Sequence, residues 1–76
     1  MTNHDLIMSV MRDGVERSTP EIVDAIFPNT NRTQRNAHLN RINEALRVAV
    51  RYRFLERVGT QKRNGAYAVV YKAVAE

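Results

Sequence analysis

Most of the charged side chains in this 76-residue chain are cations, 12 lysines and arginines against 8 aspartates and glutamates, and they are unevenly placed. Arg32, Arg35, Arg41, Arg47, Arg51, Arg53, Arg57, Lys62, Arg63 and Lys72 stand against only Glu44, Glu56 and Glu76, a balance of +7 over residues 31–76. Residues 1–30 carry Arg12 and Arg17 against Asp5, Asp13, Glu16, Glu21 and Asp24, a balance of −3. Charge divided in this way concentrates a positive field on one part of a small surface and favours a polyanion as partner. The alternative is that the arginines merely solvate a long helix. Hydrogen-bonding and methyl-bearing side chains, Thr33, Gln34, Ala37 and His38, lie among the first of these cations. Arginine can pair bidentately with guanine and glutamine with adenine, while threonine and alanine methyls can touch thymine.

Other chemistries lack their parts. His4 and His38 are the only histidines and there is no cysteine, so a metal site is not expected, nor a disulfide or redox pair. His38 reads either as a phosphate or base contact or as a plain exposed histidine. Ser9 falls inside a helical pattern and Ser18 at a helix cap, with no base beside either, so nucleophilic catalysis is unsupported. Gly14, Gly59 and Gly65 are isolated and form no phosphate-binding loop; they read as a cap, a strand irregularity and a turn. Asn31-Arg32-Thr33 matches the glycosylation acceptor pattern, yet the same residues explain a helix cap. No enzyme and no cofactor is expected.

The elements that must carry the cations follow from spacing. Leu6, Ile7, Val10 and Met11 share one helical face, Thr2 or Asn3 can cap it, and Gly14 can end it, which predicts a first helix over residues 3–13. Ser18-Thr19-Pro20-Glu21 is a capping box followed by the apolar set Ile22, Val23, Ile26 and Phe27, with Pro28 as the stop. Asn31-Arg32-Thr33-Gln34 repeats the cap spacing. Beyond it Leu39, Ile42, Leu46, Ala49 and Val50 form the buried stripe of a long third helix ending near residues 52–54. Gln34, Ala37, Arg41, Glu44 and Ala45, with His38 at the border, make its polar face. A hairpin then runs from Phe54 to Gln61, through a Lys62-Arg63-Asn64-Gly65 tip, and back over Ala66 to Val74, because Asn-Gly suits a type I′ turn. Tyr67, Val69 and Tyr71 alternate with small or polar residues, so these tyrosines are expected in the core rather than stacked on bases.

Ser18-Thr19-Pro20-Glu21-Ile22, Asn31 to Leu46 and Phe54 to Tyr71, in this order, resemble the winged helix-turn-helix family over nearly the whole chain. The resemblance implies an α+β fold of three helices followed by a C-terminal two-stranded β-hairpin wing. It also implies double-stranded DNA as partner, with the third helix in the major groove and the wing on the flanking backbone or minor groove. Carried over by position, the groove-facing candidates are Arg32, Thr33, Gln34, Arg35, Ala37, His38 and Arg41. The wing candidates are Lys62, Arg63 and Asn64, whose cations suit phosphates. Transcriptional regulation is the implied role. A winged-helix module that docks proteins without reading DNA is the alternative, and Ala45, Val48 and Tyr52, at i, i+3, i+7 spacing, are its candidate partner surface, or that of a homodimer.

Length and composition bound these readings. At 8.7 kDa, with 43% hydrophobic and 26% charged residues, one folded domain spanning 1–76 is expected. The longest uninterrupted apolar run, Ala66 to Tyr71, is far below the roughly 20 residues that span a bilayer. With no secretory pattern at Met1 to Asp5, a cytoplasmic, DNA-associated location is expected, with no membrane and no metal among its partners.

Overall fold

A computed structural model describes residues 2–63 and 65–74. Helix α1, Asn3–Met11, starts at a capping box in which the Thr2 hydroxyl accepts the Asp5 N–H and the Asp5 carboxylate accepts the Thr2 N–H, both at 3.2 Å. The Thr2 N–H on the carboxylate, with a smaller contribution from the Thr2 hydroxyl, holds the Asp5 carboxyl below its ordinary pKa. The helix stops two residues before the predicted boundary. Arg12 and Asp13 form a turn instead, closed by the Gly14 N–H on the Met11 carbonyl at 3.2 Å.

A short strand, β1 at Arg17–Ser18, comes next and was absent from the sequence expectation. Two residues carry no readable alternation, and this strand exists only because it pairs antiparallel with a distant one. Arg17 anchors it: its guanidinium donates twice to the Asp13 carboxylate, at 2.8 Å each, and to the Val10 carbonyl at 3.1 Å. Helix α2, Thr19–Ile26, follows directly. Glu21 accepts both the Ser18 N–H (3.2 Å) and the Ser18 hydroxyl (2.8 Å), and Pro20 sits in the first turn, where its missing donor costs nothing.

Helix α3, Arg32–Arg51, is continuous for 20 residues. The Asn31 side chain accepts the Gln34 N–H at 2.8 Å, and the Gln34 side-chain oxygen accepts the Asn31 N–H at 3.2 Å. Its far end closes by a Schellman motif. The Phe54 N–H donates to the Ala49 carbonyl (2.9 Å) and the Arg53 N–H to the Val50 carbonyl (3.1 Å), with Arg53 in the left-handed region at φ 63°. Phe54 thus belongs to the helix cap rather than to the strand predicted from it, and its ring meets His4 of α1 edge-on at 5.1 Å.

Strands β2, Leu55–Arg63, and β3, Ala66–Ala73, complete a three-stranded antiparallel sheet ordered β1-β3-β2. Among the described residues the fold is therefore α+β, with three helices and three strands rather than a two-stranded hairpin alone. Lys62 pairs with Tyr67 and Arg63 with Ala66, so the backbone of both residues lies within the ladder rather than in the tip expected from the sequence. Val58 is the extra residue of a bulge before Gly59, where register shifts from Arg57↔Tyr71 to Gly59↔Val70. One core holds the layers together: Ile7 and Met11 of α1, Ile22 and Val23 of α2, Ile42, Leu46 and Ala49 of α3, Leu55 of β2 and Tyr71 of β3. Each large member contributes about 1.5–3 kcal/mol through removal from water. Tyr67, expected beside Tyr71 in that core, is instead 72% exposed, at the edge of the grooves it shares with α2 and α3.

Candidate nucleic-acid interface

The N-terminal half of α3 distributes its candidate residues over three environments. Arg32, Thr33, Ala37 and Arg41 are exposed, and among the described residues neither arginine forms an ion pair. Gln34 is exposed too, but its side-chain oxygen is engaged in the helix cap. Arg35 and His38 are half-buried and occupied: Arg35 grips the Asp24 carboxylate through Nε (3.0 Å) and one terminal nitrogen (3.1 Å), and His38 lies flat on Phe27 at 3.8 Å. The Asp24 hydrogen bond raises the Arg35 pKa, so this cation is permanent but already paired.

The wing bears Lys62, exposed, with its Nζ 5.8 Å from the centre of the Tyr67 ring. The side chain of Arg63 and all of Asn64 lie outside the described residues. Of the candidate partner surface, Val48 and Tyr52 are exposed, whereas Ala45 is half-buried against the core. Arg47 pairs loosely with Glu44 at 3.7 Å, both side chains exposed.

Between α3 and the wing runs a groove of about 370 Å³, lined by Leu39, Asn40 and Asn43 of α3, Thr19 and Pro20 of α2, and Tyr67, Ala68 and Val69 of β3. A neighbouring cleft of about 420 Å³ on the other side of Tyr67 contains Arg35, Ser18 and Gln61. Ala37 and Arg41 lie about 60° and 100° round the helix from Asn40. They belong to the flank turned away from the wing. The surface beside the groove is instead a polar row: Thr33, Asn36, Asn40, Asn43 and Arg47, all exposed, at i, i+3, i+7, i+10, i+14 spacing. The sequence reading passed over the three asparagines, although their helical period was visible; what it lacked was the side on which the hairpin returns.

Among the described residues no three histidine, aspartate or glutamate side chains gather where they can share a metal ion. No helix among them is long and apolar enough to cross a membrane. No protein-family model, curated protein or solved structure matches the chain.

Proposed function

We propose that this chain is a winged helix-turn-helix domain that binds double-stranded DNA and acts as a transcriptional regulator. The observation that carries this reading is the shared polar, cationic surface formed by α3 and the β2–β3 hairpin. Arg32 at the start of α3 and Lys62 on the wing are exposed without carboxylate partners among the described residues, Arg41 is equally unpaired on the adjoining flank of α3, and the groove between the two elements is edged with amides. A helix of this diameter fits the major groove, and cations on a neighbouring hairpin suit the flanking phosphates. Two acidic side chains of α2 are spent on structure, Asp24 on Arg35 and Glu21 on Ser18, while Glu44 of α3 pairs only loosely with Arg47.

Fluorescence-anisotropy titration against a mixed-sequence duplex at about 50 and 200 mM salt tests the reading. Saturable binding that weakens steeply with salt is expected. Replacing Arg32, Arg41 and Lys62 together with alanine should flatten the slope of log K against log salt by about two to three, since each phosphate contact contributes about 0.9. Absence of binding at the lower salt would refute the proposal and turn attention to Val48 and Tyr52 as a protein-docking surface.

A further inference from the structure

The cations of α3 explain attraction to DNA but not choice of sequence, and three asparagines on the same helix are unaccounted for. Asn36, Asn40 and Asn43 are exposed, and among the described residues no hydrogen bond engages their side-chain amides. None caps a helix or closes a turn, the usual structural employments of asparagine. All three stand in the middle of α3, where asparagine is a poor helix former compared with alanine or leucine. They share one flank of the helix, and that flank borders the groove shared with Tyr67 of the wing.

Resting on the DNA-binding reading above, we infer that Asn36, Asn40 and Asn43 read adenines in the major groove, and that the preferred site is a short A·T-containing run. A carboxamide presents one acceptor and one donor side by side, matching the N6 amino group and N7 of adenine. Seven residues of helix rise about 10.5 Å, close to the length of three base-pair steps at about 3.4 Å each. The three amides therefore sample consecutive steps rather than one base. Gln34, the other carboxamide on this helix able to pair with adenine in principle, already uses its oxygen on the Asn31 N–H. Beside the amides, Leu39, Pro20 and the ring of Tyr67 supply an apolar wall. A thymine methyl, displayed in the same groove by an A·T pair, can lie against such a wall, whereas a guanine–cytosine pair offers no methyl.

Selection from a randomised duplex pool with the wild-type protein should enrich adenine at two or more neighbouring positions. Placing 7-deaza-adenine at those positions removes the N7 acceptor and should weaken binding by about fivefold or more per site, in a test that leaves the protein unaltered. Asn40→Ala and Asn43→Ala should each erase the preference at one position, by about 5- to 100-fold, while leaving binding to random duplex and its salt slope unchanged. Salt-dependent binding without adenine enrichment, or a preference insensitive to both the analogue and the variants, would overturn the inference and leave the DNA-binding reading standing. No duplex binding at low salt would overturn both.

Discussion

Single side chains in this protein divide between those committed to structure and those left free, and hydrogen-bond partners decide which is which. Arg17 and Arg35 look like two more members of a basic set, yet each is held bidentately by an aspartate. The Arg17 guanidinium, with help from the Val15 N–H, holds the Asp13 carboxyl far below its usual value of about 3.8. A carboxyl depressed in the folded state stabilises the fold above its unfolded pKa, and that contribution is lost as the pH falls through the acid range toward the folded value. Urea denaturation of wild type and Asp13→Asn at pH 7 and at about pH 3 tests this. The gap between the two proteins should be wider at neutral pH and shrink in acid, and a gap independent of pH would contradict it. The Asp13 side chain is about half exposed to solvent, which screens the pair, so the effect is expected to be small.

At the scale of elements, each helix start was legible because a cap is a local event. Thr2, Ser18 and Asn31 each precede by three residues a side chain that reaches back, and four consecutive positions suffice to see it. The end of α3 was not legible to the residue, because the residue that turns the chain is Arg53 rather than a glycine. An L-residue in the left-handed region costs about 1–2 kcal/mol, whereas glycine accepts it at an entropic cost in the unfolded chain. Arg53→Gly should therefore stabilise the domain by about 0.5–1 kcal/mol, seen as a higher urea midpoint with an unchanged slope. A lower midpoint would show that the Arg53 side chain contributes more than its backbone costs. The β1 strand lies at the opposite limit: Arg17 and Ser18 have no strand signature, and only the arrival of Tyr71 and Val70 beside them makes a ladder.

Considered whole, the molecule sets an acidic α1–α2 portion behind a basic α3 and wing, and the Arg35–Asp24 pair bridges the two. That bridge withholds one cation from the proposed DNA surface. Asp24→Ala removes one negative charge and releases Arg35 beside the cleft that holds Gln61 and Tyr67. The variant should bind duplex DNA more tightly at low salt, with the salt slope steeper by up to about one. Unchanged affinity would mean that Arg35 faces away from the phosphates even when free. The pair is about half exposed, so little loss of stability is expected from breaking it.

Helix starts, the apolar stripes of all three helices and the pairing of β2 with β3 were readable from residue order, because each depends on neighbours close in sequence, and the imbalance of charge is a plain sum over the residues. Tyr67 and Tyr71 mark the limit of that reading. Four residues apart on one strand face and identical in type, one is nearly sealed in the core and the other open to solvent. Alternation tells which face a side chain occupies but not which positions along that face other elements cover. The same holds for α3: its period made a polar flank visible, but the flank that matters is set by where β3 packs. Wing and helix meet through contacts between residues far apart in sequence, so only the folded chain could bring Asn40 and Asn43 beside Tyr67.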